Sequence, residues 1–241
     1  MAERIKTLLL TGKNNHDWRR SAPFCRDLME ETGRFSVTLT ENPNEALSDA
    51  GALGEQQLLF LDYNDSADAL SDAAKENFES AVRGGTGLVI LHAANNGFAG
   101  WVELEKMAAL MWREGTGHGE YHEFPVRIVD REHPITRGVG DFRTWDELYH
   151  RLVHMHGAPH TVLATAFSDP ARKGTGNDEP VMLVTSYGAG RVFHHVLGHV
   201  WPDRSDPEYK GATMMSFENE GFQRTLLRGC EWAATGAVTL A

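Results

Sequence analysis

The sequence predicts an α/β protein of flavodoxin-like type, a mostly parallel sheet with helices on both faces, and three observations carry that prediction. Short apolar runs such as Gln57 to Tyr63 and Gly87 to His92 are too uniform to alternate and too short for helices, as in strands buried on both faces. Amphipathic helical patterns lie between these runs, at Ser21 to Glu31 and Ser71 to Arg83. The resulting strand, helix, strand, helix order calls for parallel pairing with right-handed crossovers. No shift in composition marks a linker in the 241 residues, so a single unit over 1–241 is expected.

Arg4 to Gly12 opens the sheet and runs into a polar loop, Lys13 to Trp18. The first helix is expected from Ser21, which puts Pro23 near the first turn, where its missing N–H costs nothing. Phe35 to Thr40 alternates as a second strand, and Gln57 to Tyr63 is a third. In the helix that follows, Ala74, Phe78 and Val82 share one face. Gly87 to His92 is the fourth strand and stops abruptly at His92, Asn95, Asn96 and Gly97. A helix over Val102 to Met111 then leads into a glycine-rich loop from Trp112 to Gly119. Strands are expected at Phe124 to Val129, Val162 to Phe167 and Val181 to Ser186, with a turn at His133 to Thr136. A hairpin turn at Tyr187 to Gly190 joins the strand Arg191 to Leu197, and a helix over Phe217 to Ala234 closes the pattern. Trp145 to Tyr149 fits neither periodicity and reads as an exposed loop.

A formal charge of −11 with scattered basic residues disfavours a protein that works by neutralising phosphate backbones, so no nucleic-acid partner is expected. No apolar stretch approaches the roughly 20 residues that cross a bilayer, and the charged start lacks a signal-peptide pattern, which makes a cytoplasmic location the expectation. Cys25 and Cys230 fall in separate helices and suggest packing, neither a disulfide nor a thiolate metal site.

Twelve histidines are the unusual resource, because imidazole is both a common metal ligand and the acid/base group of neutral pH. In open α/β sheets ligands bind outside the carboxyl ends of the strands. His92 ends one strand, Leu197-Gly198-His199 ends another, and His16 lies in the first loop among Asn15, Asp17 and Trp18. That loop lacks the glycine spacing of a dinucleotide or phosphate-binding fingerprint. His118 sits in the glycine-rich loop, whose glycines argue against a helical metal pair with His122. Asp146 and Glu147, flanked by Trp145 and Tyr149, resemble a sugar-binding edge, with plain solvation as the alternative. His150, His154, His156 and His160 could gather an adventitious metal, His133 reads as a turn residue, and His194 and His195 read as core groups of a strand.

Taken together these pieces resemble the ThuA-like (trehalose utilisation) family. The resemblance is carried in order by Thr11 to Trp18, Gly87 to Ala94, Gly117-His118, His133 to Thr136, Asp146 to Tyr149, Val162 to Thr165, and Tyr187 to Phe193 with Leu197 to His199. It implies a fold like that of class I glutamine amidotransferases and a link to carbohydrate catabolism, with keto-sugars supplied by a partner sugar dehydrogenase. Those amidotransferases hold a cysteine at the strand-to-helix elbow where this chain has His92, so glutamine hydrolysis is disfavoured. The expectation is hydrolysis, elimination or isomerisation of a sugar or keto-sugar, with His92, His199, His16 and Glu147 catalytic. Asn15, Asp17, Trp18, Asn95, His118, Asp146 and Tyr149 are the expected substrate contacts. No cofactor is required by this reading; the alternative version places zinc or manganese on His92, His118, Glu147 and His199. A non-catalytic carbohydrate-binding or regulatory protein is the competing reading, and assembly into a homo-oligomer is left open. An anionic sugar would be favoured only if Arg19, Arg113 or Arg191 entered the pocket.

Overall fold

In β1 (Ile5–Leu10) the side chains divide between two cores: Ile5 and Leu9 pack on one side of the sheet, Leu8 and Leu10 on the other. This division explains why the run is apolar throughout, and it recurs in β4 below. The computed structural model describes residues 3–202 and 209–241. α1 (Trp18–Glu31) returns the chain to β2 (Phe35–Thr40), and α2 (Pro43–Ser48) and α3 (Ala50–Gly54) lead to β3 (Leu58–Leu61). α4 (Asp72–Gly84) starts as its pattern predicts, with the Ser71 hydroxyl accepting from the Ala74 N–H. β4 (Gly87–Leu91) follows, with Val89 and Leu91 in one core and Leu88 and Ile90 in the other.

The second half adds α5 (Val102–Ala108), the short strands β5 (Leu110–Met111) and β6 (Gly117–His118), and β7 (His122–Ile128). Then come β8 (Phe142–Asp146), β9 (Tyr149–His150), β10 (Val153–His154), β11 (Thr161–Phe167), β12 (Asp178–Tyr187), β13 (Gly190–His195) and α6 (Glu220–Thr235). Nine strands form one sheet in the order β2-β1-β3-β4-β13-β12-β11-β7-β8. The first five are mutually parallel and run in the 2-1-3-4-5 order of a flavodoxin-like sheet, counting β13 as the fifth. From β13 onward every pairing is antiparallel, a meander added to the parallel half. α1 and α6 cover one face, and α2 to α5 cover the other in the parallel half. α6 lies so close to β13 that a Cβ on Gly229 would sit 2.0 Å from the Phe193 ring.

Four local expectations change. α1 begins at Trp18, because the Asp17 carbonyl accepts from the N–H groups of Arg20 and Ser21. Pro23 therefore lies in the second turn and forgoes one helical hydrogen bond. α5 stops at Ala108, where Ala109 takes φ +58° and releases Leu110 and Met111 to pair with β10. α6 starts later than its apolar pattern, at an Asn219 side chain that accepts from the Phe222 N–H. Trp145 to Tyr149 is no exposed loop: β8 runs through Asp146, β9 starts at Tyr149, and both carboxylates between them are buried. No helix among the described residues is long and apolar enough to cross a membrane.

Candidate functional site

The strand order reverses between β1 and β3, and the crevice at the carboxyl ends of the parallel strands opens beside it. His16 follows β1, His92 follows β4 and His199 follows β13, and sheet pairing brings the three together from distant parts of the chain. His16 Nε2 lies 3.1 Å from His199 Nδ1 and 3.3 Å from His92 Nε2. His92 reaches this position by a left-handed backbone, φ +43°, at the elbow after β4. Its neighbour Gly198, at φ +136°, makes the approach possible, because a Cβ there would stand 3.1 Å from the His92 Cβ.

Hydrogen bonding fixes one tautomer. His92 Nδ1 lies 2.7 Å from the Val196 carbonyl oxygen, which only accepts, so Nδ1 carries the hydrogen and Nε2 presents a lone pair. The Tyr149 hydroxyl, 2.9 Å away, donates to that lone pair, and the two rings stack at 4.4 Å. His16 stacks on Trp201 at 4.6 Å, and its Nδ1 has no hydrogen-bond partner among the described residues. Glu147 Oε2 lies 3.0 Å from His199 Nδ1 and 3.6 Å from His118 Nδ1, while Oε1 accepts from the Tyr209 hydroxyl.

Burial, reinforced by the neighbouring imidazoles, lowers the His92 pKa to about 3 and takes His16 well below its usual range. Both rings are therefore neutral near pH 7. Burial pushes Glu147 upward, but the hydrogen bond to His199 and the surrounding histidines outweigh it and hold the carboxyl below its ordinary value. Tyr149 is driven far up by burial and by the Glu147 and Asp146 carboxylates, so it remains a protonated donor. The core of the site is thus neutral imidazoles and a phenol around one ionised carboxylate.

A pocket of about 220 Å³ opens onto this cluster, lined by Asn15, His16, Asn96, Trp112, His118, Glu147, Tyr149 and Trp201. A larger groove of about 470 Å³ runs beside β2, α2 and α3, away from the histidines. Of the residues singled out in the sequence, His16, His92, His199, Glu147, Tyr149, Asn15 and His118 come together here. Asp17 does not; it is held by Arg20 at 2.8 Å. Trp18 is buried beneath the Arg19 guanidinium and lines a separate hollow with Leu39 and Glu41. Asn95 is fully buried against His194, and its neighbour Asn96 faces the pocket instead. Asp146 turns away from Glu147 and accepts from the backbone N–H groups of Glu147 and Gly198, a structural tie.

The set His92, His118, Glu147 and His199 is also regrouped. His16 takes the place given to His118, which is partly exposed with Nδ1 donating to the Gly119 carbonyl at 2.7 Å. Of the histidines at 150, 154, 156 and 160, only a pair meets: the rings of His154 and His160 lie 4.9 Å apart at the Ala158 carbonyl, while His150 meets Ser168 and His156 meets Glu105. His194 and His195 are both fully buried, on opposite faces of β13. Arg113 is engaged by Glu105 and Arg191 by carbonyls of α6, so neither enters the pocket lining. Trp112, Trp201 and Asn96 are pocket residues that sequence reasoning missed. Trp201 carried a signal, standing two residues beyond His199; Trp112 carried only its place at the edge of the glycine-rich loop.

The sequence profile of the ThuA family, described as trehalose utilisation, matches residues 6–233. A ThuA-like protein from Parabacteroides merdae, known from its crystal structure, is 33% identical, with 99% of this chain and 93% of that chain covered and a TM-score of 0.85. The chain belongs to the ThuA family. Membership in this family, as described, implies a carbohydrate-related role. Two further structures share the fold at low identity. A ThuA-like protein from Bacteroides uniformis is 16% identical over 99% of this chain and 94% of that one, with a TM-score of 0.69. A cytoplasmic protein from Salmonella typhimurium is 11% identical over 95% and 99% respectively, with a TM-score of 0.64. Among curated proteins, none matches the chain significantly.

Proposed function

We propose that this ThuA-family protein is an enzyme of carbohydrate catabolism that removes and returns a proton on a sugar or keto-sugar. The observation that carries the reading is the Glu147 carboxylate, buried at the pocket, 3.0 Å from His199 and beside the rings of Trp112, Tyr149 and Trp201. Trp112 and Trp201 bring aromatic rings to the pocket lining, and the amides of Asn15 and Asn96 offer partners for hydroxyls.

Glu147 is the base in this reading, accepting a proton from a hydroxyl or from a carbon next to a carbonyl. Tyr149, kept protonated by burial, turns its one O–H from His92 Nε2 to the substrate oxygen on which charge develops. His92 does not act as the base: its Nε2 lone pair is engaged by Tyr149 and the ring is 2% exposed, so it positions the phenol. His199 holds Glu147 in its ionised state. Hydrolysis, elimination and isomerisation of a keto-sugar all share such a proton transfer, which makes the class of reaction common ground among them.

The test is incubation with disaccharides and their keto derivatives in D2O, read by NMR for product and for exchange of the proton next to the carbonyl. Wild type should exchange and turn over at least one keto-sugar, and Glu147→Gln should lose about 100-fold or more, the usual weight of a general base. Retained turnover in that variant removes Glu147 from the role. Sugar binding by calorimetry with neither exchange nor product would replace the enzyme with the carbohydrate-binding reading.

A further inference from the structure

We infer that His16, His92 and His199 form the imidazole face of a divalent transition-metal site, with Glu147 as a fourth ligand and the remaining position open to the pocket. The inference shares its pocket with the enzyme reading above and, in its catalytic meaning, rests on it. The site itself stands on geometry alone.

The argument begins with protons. His92 Nε2 bears no hydrogen, since Nδ1 donates to Val196. If His199 Nδ1 carries a hydrogen for the Glu147 carboxylate, His16 Nε2 must either present a lone pair to the His92 lone pair at 3.3 Å or bring an N–H against the His199 N–H at 3.1 Å. If His199 Nδ1 carries none, its lone pair faces the carboxylate oxygen at 3.0 Å. With a carboxylate at Glu147, every arrangement of three neutral rings leaves one of these contacts repulsive. Protonating a ring would relieve it only by placing a charge among three buried side chains. A single divalent cation satisfies every donor at once.

The dimensions agree. Nitrogen separations of 3.1 and 3.3 Å are the edge lengths expected around an ion with metal–nitrogen bonds of about 2.0–2.1 Å; the three candidate ligand atoms lie within 4.8 Å of one another, so the His92–His199 edge closes by a small ring movement where it exceeds about 4 Å. The His92 Nδ1–H bond to a backbone carbonyl is the outer-shell support that fixes a metal-binding tautomer. His16 Nδ1 is pinned by no partner among the described residues, so Nε2 is able to present its lone pair. Imidazole with one carboxylate suits zinc and its neighbours in the transition series better than the hard, oxygen-seeking magnesium or calcium. Such an ion, held through Glu147 Oε2, would polarise a sugar carbonyl or hydroxyl, leave Oε1 as the oxygen that takes the proton, and by taking the His92 lone pair free the Tyr149 hydroxyl for the substrate.

The test needs no substrate. Chelator-stripped protein is titrated with Zn2+ by calorimetry and with Co2+ by visible absorption, alongside His16→Ala, His199→Ala and a control, His160→Ala, whose ring meets His154 and the Ala158 carbonyl outside the cluster. One ion per chain is expected in wild type and control. Loss of an outer-shell partner already costs about 10–100-fold in affinity, so each ligand variant should lose more than about 100-fold. Should either variant fail to fold by circular dichroism, the Co2+ spectrum of wild type decides: nitrogen and oxygen ligation without thiolate charge transfer supports the site, since Cys25 and Cys230 are buried elsewhere. No stoichiometric binding by wild type, or binding unchanged in both variants, overturns it. Stoichiometric binding without turnover of any sugar upholds the metal site and refutes the enzyme; undiminished turnover by metal-free protein upholds the enzyme and overturns the catalytic role of the ion.

Discussion

Asp62, just beyond β3, lies behind the site and should make the protein less stable as pH rises. Its carboxylate is 4% exposed, accepts from the Ser21 hydroxyl at 2.6 Å and from the Asn14 side chain at 3.0 Å, and Asn14 in turn accepts from the His16 N–H at 3.0 Å. Burial, only partly offset by those two neutral donors, raises its pKa from 3.8 to about 7. The native state therefore keeps a proton that the unfolded chain releases. The stability this lends is complete below the unfolded pKa, falls as pH rises toward about 7 and is lost above it, a change of about 4 kcal/mol. Asp62→Asn carries no charge and lacks that slope. Allowing about 1–2 kcal/mol for weakened hydrogen bonds, the variant should be slightly less stable than wild type near pH 4 and about 2 kcal/mol more stable above pH 7. Urea unfolding of both proteins across that range, with equal m-values, measures the difference. Parallel pH curves, or an Asp62→Asn protein that is the weaker one at pH 8, would refute the reasoning. Turnover should move the other way, because the new amide no longer dictates which end of Asn14 faces the His16 N–H.

Two further substitutions probe the frame of the site. Gly198→Ala combines a backbone at φ +136° with a Cβ 3.1 Å from that of His92, so it should cost about 1–3 kcal/mol in urea unfolding and depress turnover; a loss under about 0.5 kcal/mol with full activity would count against the elbow packing. Glu105→Ala removes a buried carboxylate bonded to Arg113 at 2.9 Å and His156 at 2.7 Å, which should cost about 3–5 kcal/mol. Arg113 also meets the Gly97 carbonyl and adjoins Trp112, so for a substrate that turns over, KM should rise more than kcat falls, and an unchanged KM would show that this pair does not brace the pocket.

The parallel half of the sheet was legible because each of its inner strands is apolar on both faces, and a short run of that kind between amphipathic helices has nowhere to go but the middle of a covered sheet. His92 and His199 were legible for the same reason, as polar residues where those runs stop. The failures follow from periodicity losing its meaning over short distances. β9 is two residues long, too short to show alternation, and the buried carboxylates before it looked like solvated ones. Asn95 and Asn96 differ by one position, and the tight turn after β4 decides which amide reaches the pocket. Asp146 and Glu147 are likewise adjacent and chemically alike, yet one satisfies backbone N–H groups and the other meets the histidines. Asp17 and Trp18 were drawn into the expected site because α1 begins three residues earlier than its apolar pattern, which turns both toward the helix and away from the crevice.

The position of β13 bears on how the chain matures. His92 is anchored by a carbonyl 104 positions further along, and His16 meets its partner across 183 positions. Contacts of such long range form late, after the loops between them have closed. During synthesis the segments up to β4 emerge first, but their histidines gain neither the Val196 anchor nor His199 until β13 has inserted next to β4. A nascent or truncated chain therefore holds these imidazoles apart, and the three-histidine cluster exists only once the sheet is complete, which ties the quality of folding to the assembly of the site.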